Sequence, residues 1–382
     1  MNNRIINSVV RLIVWAGKLI GRLLPLHNRS GLFFFFPFYH TGGAEKVHAD
    51  IISCFTDERP WVFFTKRSKD LRFINQFKTS ATCFDFGWLL KYSYPLSIGL
   101  IAGLIQKTSN ARLFGCNSLY YYLLLPHLPD NIEAIDLIHA LGGGAEKFAL
   151  PVLERIDRRV VISVGVRDQL LDWYRKEGIP EQFDRRITVI SNRVSVPPEP
   201  PVKPAGSTLQ VLFVGRGSEE KRIHLIARAA RLCMDNGLNV KFLLVGDIEP
   251  SILKGDAGFC NLLGSVSAPE QLEKIYTDSD LILITSSREG FPLTIMEGMA
   301  HGCVPVCTSV GGIPEHIRHA ENGWLLPAGD ETAVVTALYD AILELHQDRD
   351  LLERISIAAY SYAQSQFGGG WFCEQYHIVI QG

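Results

Sequence analysis

The sequence predicts an α/β chain of two doubly wound, Rossmann-like domains. Three observations carry that prediction. Short apolar runs alternate with helix-length segments, the alternation halts at a proline-rich stretch and restarts beyond it, and 382 residues is about twice the commonest domain size.

The first alternation opens with Leu32 to Phe38 (LFFFFPF), an apolar run of strand length. A helical pattern follows from Ala44 to Phe55. Strand-like runs come next at Trp61 to Thr65, Thr82 to Phe86, Ala111 to Gly115, Ala134 to His139 and Arg159 to Ser163. Helix-length spacers such as Ile98 to Lys107 separate them, which implies a parallel sheet covered on both faces. Pro197 to Ser207 (PPEPPVKPAGS) holds five prolines without apolar period, the composition of a stiff linker. Past it lie strands at Leu209 to Val214, Val240 to Val245, Leu281 to Ile284 and Val304 to Cys307, with helices near Ile223 to Asn236 and Leu293 to His301. A helical tail runs from Ala333 to Gln366.

The expected organisation is thus an N-terminal helix in 1–30, a first Rossmann-like domain in 31–196, a linker in 197–207, a second such domain in 208–366 and a final segment in 367–382. Two such domains are expected to face a cleft at the carboxyl ends of their strands, where this architecture binds ligands. Closure about the linker would exclude water from it.

Composition removes several function classes. With 47% hydrophobic and 20% charged residues the chain can build real cores, and a formal net charge of −2 gives no basic excess for gripping nucleic acid. Eight cysteines are scattered without a Cys-x-x-Cys pair, so neither a disulfide framework nor a zinc site is expected. The thiols are read as reduced and the compartment as cytoplasmic.

Charge is unevenly spread. No acidic residue precedes Glu45, whereas Arg4, Arg11, Lys18, Arg22 and Arg29 fall within roughly 40° of one another on a helical wheel. Ile5, Val9, Leu12, Ile13, Ala16, Leu19, Ile20 and Leu23 occupy the other side. This is the pattern of a basic amphipathic helix, able to lie on an anionic membrane surface at the inner face of the cell membrane. The alternative is a helix that packs its apolar side on its own protein. The uncharged run between Arg11 and Lys18 is far too short to cross a bilayer.

Two turns that follow strands carry the chemistry. In Ser286 to His316 (SSREGFPLTIMEGMAHGCVPVCTSVGGIPEH) a Gly-containing turn leads to Pro292, read as the first helical position. The free N–H groups of Leu293 and Thr294 would then face a ligand. Glu289 and Glu297 are spaced to meet two parts of an extended ligand. In Val214 to Arg222 (VGRGSEEKR), Gly215 lets backbone approach a ligand, while Arg216 and Lys221 place two cations across a turn. That pair suits a departing diphosphate, whose growing charge it would stabilise. In the first domain, Gly42 and Gly43 precede a helix and could turn N–H groups toward phosphate. His139 ends a strand just before another glycine run. The pentapeptide GGAEK occurs at both 42–46 and 143–147.

At these residues the chain resembles retaining nucleotide-sugar glycosyltransferases of the GT-B fold, family 4, also called group 1. The resemblance spans Gly31 onward. It rests on EGFPLTIMEGMAHGCVPV around Glu289 and Glu297, with Gly290 and Phe291 inside it, on VGR with Arg216 and Lys221, on Leu243 to Asp247 (LLVGD), on Gly311-Gly312 and on Asn322 to Asp330 (NGWLLPAGD).

What the resemblance implies is specific. Arg216 and Lys221 would hold the donor diphosphate, Glu289 would contact the transferred sugar and Glu297 the ribose. Gly42 and Gly43 match a loop near the donor phosphates, and His139 a histidine close to the reacting sugar. No metal or other cofactor is implied. The final segment would cross back to the first domain. The expected partners are a nucleotide-sugar donor, UDP-linked by preference, and a glycan or glycolipid acceptor. The chain departs from the pattern at Arg222, where glycine is usual and an added charge beside the diphosphate is expected, and at Asn192-Arg193-Val194-Ser195. A catalytically inactive, membrane-associated binding subunit is the alternative reading. A nicotinamide-dependent oxidoreductase is not supported, because Glu220 stands where the third glycine of that fingerprint belongs.

Overall fold

The computed structural model describes the chain except residues 1, 2, 26, 27, 29, 41, 69, 70, 72, 88, 89, 143, 204, 205, 253, 254 and 267, and describes backbone alone at 3–7, 90–92 and 145. Two compact units emerge: 1–162 with 166–190 and 371–382, and 163–165 with 191–370.

The first unit runs α1 (Asn3–Leu23), β1 (Leu32–Phe36), α2 (Gly43–Ser53), β2 (Trp61–Phe64), α3 (Ile74–Ser80), β3 (Thr82–Asp85), α4 (Leu90–Gln106), β4 (Arg112–Cys116), α5 (Leu119–Leu124), β5 (Glu133–Ile138), α6 (Ala145–Ala149), β6 (Arg158–Val161), α7 (Val164–Glu177) and β7 (Ile187–Val189). Its seven strands are all parallel in the order β3-β2-β1-β4-β5-β6-β7. Strand β1 is central and wholly buried, so its four phenylalanines read as one apolar run rather than an alternation. Phe34 and Phe36 pack on Phe114, and Phe35 on Phe63. A buried ion pair crosses from β5 to β6, where Arg159 donates to both oxygens of Asp136, at 2.9 and 2.7 Å, and to the Tyr174 hydroxyl at 2.7 Å.

The second unit runs β8 (Leu209–Val214), α8 (Ile223–Asp235), β9 (Val240–Val245), β10 (Asn261–Gly264), α9 (Pro269–Thr277), β11 (Leu281–Ile284), α10 (Leu293–Ala300), β12 (Val304–Thr308), α11 (Ile313–His316), β13 (Trp324–Leu326), α12 (Glu331–Gln347) and α13 (Arg349–Gln366). Its six strands are likewise parallel, ordered β10-β9-β8-β11-β12-β13. The helical tail is two helices. Asp348 separates them, because its side chain accepts from the Leu351 N–H and caps α13. The proline-rich stretch lies on this unit, with the Tyr360 hydroxyl donating to Pro197 O and the Lys203 ammonium to Tyr276 O, while Pro204 and Ala205 fall outside the described residues.

The chain then returns to the first unit as α14 (Trp371–Gln381), whose Tyr376 is buried against Phe114. There Cys373 is joined to Cys54 at the end of α2 by a disulfide. This corrects the reading of all thiols as reduced. The partners are 319 residues apart, a pairing that no local spacing could reveal.

Helix α1 packs on α4 through a narrow stripe of small residues. A Cβ at Gly17 would stand 2.5 Å from Leu96 O, and one at Gly21, Gly99 or Gly103 would overlap backbone oxygens of the opposing helix. Only glycine allows the two backbones to approach this closely. Val14 is 5% exposed beside the stripe. The large apolar side chains of α1 lie elsewhere on its surface: Leu12 is 64% exposed, Trp15 62% and Leu23 78%, with Val9, Ile13, Leu19 and Ile20 also open. Arg11 is exposed, Lys18 half-buried, and Arg22 donates to the Gln106 side chain at 2.7 Å. The Arg4 side chain and Arg29 lie outside the described residues. No described helix is long and apolar enough to cross a membrane.

Candidate functional site

In the second unit, the turn after β8 and the turn after β11 meet because their strands are neighbours. The Ser287 N–H donates to Glu220 O at 2.8 Å, and the Thr285 hydroxyl to Lys221 O at 3.0 Å. This lacing brings the Lys221 ammonium to Glu289 Oε1 at 2.5 Å, where the Ser286 hydroxyl also donates, at 2.6 Å. Both side chains are mostly covered, Lys221 at 23% and Glu289 at 11% exposure, so the pair is screened less than a surface ion pair. Arg216 stands exposed on the same glycine turn. The structure therefore unites Lys221 and Glu289, and adds Ser286, which the sequence did not single out.

The glycines hold these turns by close approach. Gly311 has φ of +56°, and a Cβ there would collide with Glu289 O; the Gly312 N–H donates to Gly290 O at 2.6 Å. Gly246 has φ of +131° and lies against Gly215 O, while Gly217 sits against Asp247 O. Thus Gly311-Gly312 sets the height of the Glu289 backbone, and LLVGD backs the glycine turn.

One expectation is corrected here. Pro292 is not the first helical residue but the cap that precedes α10. Its ψ of 131° is extended, and its carbonyl accepts from the Ile295 N–H at 3.1 Å. No side chain caps α10, which leaves its start, at Leu293 and Thr294, to an outside acceptor. Arg222 adopts φ 48°, ψ 44°, a left-handed conformation that glycine adopts without strain. Its guanidinium turns back to donate to Thr285 O at 2.7 Å and Ser286 O at 3.2 Å. The arginine is a strut for the Ser286 to Glu289 turn.

Glu297, on α10, accepts from the buried Tyr276 hydroxyl at 2.9 Å. Burial and that carboxylate push the Tyr276 pKa well up, so its proton stays in place. Phe291 packs on His316 with ring centres 4.2 Å apart, and the Tyr362 hydroxyl lies 3.1 Å from His316 Nδ1. Burial lowers the His316 pKa to about 4. Two Asp-x-Asp spacings occur, at 278–280 and 348–350. Asp278 pairs with Lys274, Asp280 accepts from the Gln210 N–H and Asp348 is a helix cap, so three of the four aspartates have architectural roles. Cys303 and Cys307 are buried, as their place around β12 implies.

In the first unit, Gly42 is the extended cap of α2 and Gly43 its first residue. The Glu45 side chain folds back until a Cβ at Gly42 would overlap its Oε2, and its Oε1 lies 3.6 Å from His40 Nε2. The second GGAEK does likewise: Glu146 Oε1 accepts from the Gly142 N–H at 3.1 Å and the Gly144 N–H at 3.4 Å. Both glutamates are buried, and each leaves Oε2 without a partner. His139 follows β5 directly, with its Nε2 3.1 Å from Nε2 of His48 on α2.

Against this geometry the comparisons with known proteins are informative. Residues 208–348, the greater part of the second unit, match the family "Glycosyl transferases group 1". The chain is 28% identical over 235 residues to the amylovoran biosynthesis glycosyltransferase AmsK of Erwinia amylovora, covering 58% of this chain and 53% of that one. It is 30% identical over 182 residues to the N-acetyl-alpha-D-glucosaminyl L-malate synthase of Bacillus anthracis, covering 44% of each. The chain thus spans about half the length of the curated relatives it matches. Among solved structures, the Anabaena protein HepE in complex with UDP-glucose superposes with a TM-score of 0.72 at 17% identity, over 91% of this chain and 98% of that one. The fold is that of GT-B glycosyltransferases, with two parallel-sheet Rossmann-like domains.

Proposed function

We propose that this protein is a metal-independent, retaining glycosyltransferase. It would transfer a sugar from a UDP-sugar to a hydroxyl of a lipid-linked or growing surface glycan at the inner face of the cell membrane. The observation that carries the reading is the Lys221–Ser286–Glu289 cluster beside the uncapped start of α10.

In this reading the diphosphate lies against the glycine turn, where Lys221 and exposed Arg216 meet it. As the bond to the sugar breaks, negative charge grows on the leaving phosphate oxygen. Two fixed cations stabilise that charge without reorganising, the role that a divalent ion plays in other transferases. Both bonds within the cluster fall on Glu289 Oε1, so Oε2 is the oxygen left to accept from a sugar hydroxyl. The Leu293 and Thr294 N–H groups supply further donors for phosphate. Glu297, oriented by Tyr276, would accept from ribose hydroxyls.

Retention then follows from same-face attack. The acceptor oxygen forms its bond to the anomeric carbon as the diphosphate oxygen departs, and the acceptor's proton passes to that oxygen. A pair of enzyme carboxylates is not needed. The UDP preference draws on the UDP-glucose held by HepE. The names of the relatives divide between biosynthesis of amylovoran and a malate product, so the acceptor class rests on α1. Its glycine stripe satisfies α4 and leaves its apolar side chains for the headgroup layer of an anionic membrane.

A panel of UDP-, GDP- and ADP-sugars, offered to wild type and Glu289→Ala with and without anionic liposomes carrying extracted lipid acceptors, tests this. Nucleoside diphosphate release that collapses in the variant, persists in chelator and yields a lipid-linked product supports the reading. Nucleotide binding without release from any donor would favour an inactive binding subunit. A covalent sugar on Glu289, seen by intact mass, would remove the same-face mechanism.

A further inference from the structure

Three side chains of metal-ligating type converge in the first unit, outside the donor cluster. They are His48 on α2, Cys116 at the end of β4 and His139 just beyond the end of β5. Their ligand atoms all lie within 4.8 Å of one another. His48 and Cys116 are each 1% exposed, and His139 is half-buried, the most exposed of the three. Each ligand is held by a rigid element. Strands β4 and β5 are paired neighbours, with Cys116 opposite Leu137, and the His48 ring lies flat on Phe36 at 4.2 Å between centres.

The spacing matches a tetrahedral ion. Two imidazole nitrogens bound to zinc at about 2.05 Å stand about 3.3 Å apart across a tetrahedral edge. The His48 and His139 Nε2 atoms are 3.1 Å apart. The Cys116 sulfur must close by roughly 1 Å to reach its own edge, within the reach of a small side-chain rotation. Two like nitrogens sharing one proton, with His48 Nδ1 buried and lacking any partner, are poorly satisfied as they stand. Carboxylate and carbonyl oxygens do not dominate the set, which argues against magnesium or calcium. Burial first, and then the nearby Asp136 and Glu45 carboxylates, push the Cys116 thiol well up, so an ion must displace its proton, while the same carboxylates favour a cation.

We propose that His48, Cys116 and His139 form a binding site for a zinc-class ion, with a fourth position open to water or an exogenous ligand. On binding, the Cys116 S–H bond breaks, the proton goes to solvent and the thiolate bonds the metal, so affinity rises with pH. The ion claims Nε2 of His139 and so competes with any other role of that atom. This consequence alone rests on the proposed transfer reaction; the site itself does not.

Titration of the full chain, stripped with chelator, with cobalt and then zinc tests the site. One equivalent of cobalt should give thiolate-to-metal charge-transfer absorption that zinc abolishes. Cys116→Ser should lose the band, and His139→Asn should weaken binding roughly tenfold or more. Circular dichroism and the melting temperature serve as folding controls, and His139→Asn, at the more exposed position, gives a second route if Cys116→Ser folds poorly. No band at millimolar cobalt, or a band that survives both substitutions, would overturn the proposal. Because these readouts are spectroscopic, they hold whether or not any sugar donor is turned over.

Discussion

Lys221 and Glu289 are 68 residues apart in the chain, yet the Lys221 ammonium donates to Glu289 Oε1 at 2.5 Å. The contact exists because β8 and β11 are parallel neighbours and deliver their following turns side by side. It joins a cation that can neutralise a phosphate to a carboxylate that can orient a hydroxyl. A ligand touching either would feel both.

Glu289→Gln keeps the shape and removes the charge. It should lower kcat/KM by about 10²–10³ if the carboxylate orients the transferred sugar, while nucleoside diphosphate affinity changes little. Lys221→Met should weaken diphosphate binding as well as turnover. Folding stability should fall by about 1–3 kcal/mol in either variant, since each leaves a mostly covered partner without its opposite charge. Calorimetric titration with UDP and steady-state kinetics on the two variants separate these effects.

Gly311→Ala is a test of position without any change of charge. The added Cβ would meet Glu289 O, and the φ of +56° adds left-handed strain. Displacing Glu289 by about 1 Å should cost on the order of 10²-fold in kcat. The melting temperature should drop as well, with a stability loss of about 1–3 kcal/mol. Undiminished turnover in this variant would show that the Glu289 backbone is not held from below.

His316 should give the second unit a pH-dependent stability. In the unfolded chain its imidazole titrates near 6.5, and in the fold burial brings it to about 4. The unfolded state therefore takes up the proton first. The stabilisation is complete above pH 6.5 and is lost as pH falls toward 4, by at most about 1.4 kcal/mol per pH unit. The His316 share of the difference in urea unfolding between pH 7 and pH 5 should be up to roughly 2 kcal/mol, and His316→Phe should reduce the difference by that share. The same ring supports Phe291, so a variant that disturbs it should also raise KM for the donor.

Helix α1 offers two kinds of substitution with opposite expectations. Leu12→Glu and Trp15→Glu lie on its open surface and should leave the melting temperature unchanged, yet release the protein from anionic liposomes in a flotation assay. Gly21→Leu lies in the α4 contact and should lower stability by about 1–3 kcal/mol through overpacking. Liposome binding that ignores the two exposed substitutions would remove α1 as the membrane contact.

Much of this was legible in the sequence because parallel strands are continuous apolar runs, as LFFFF and LILI are, and because turns that follow them carry glycine and charge. The short edge strands β7, β10 and β13 were not. Three or four residues at a sheet margin, partly exposed as Asn261 to Gly264 are, hold no distinguishing period. The glutamate and lysine of the donor cluster were visible as spaced charges. Ser286 and Tyr276 were invisible, because a serine in a turn and a tyrosine in a helix gain meaning only from the carboxylate they meet. The wheel set the charges of α1 apart from its large apolar residues. It gave no sign that two glycines, rather than either face, would make the internal contact.

The bond between Cys54 and Cys373 bears on how the chain would behave when cut. Apart from 163–165, the second unit occupies 191–370 and so interrupts the first between Ile190 and Trp371. A protease acting in the 197–207 stretch would produce two fragments, each carrying one of the joined cysteines. They would migrate as a single species without reductant and separate with it, and the intact chain would titrate six thiols out of eight cysteines. What is an interdomain connection in space is, in covalent terms, one arc of a closed ring.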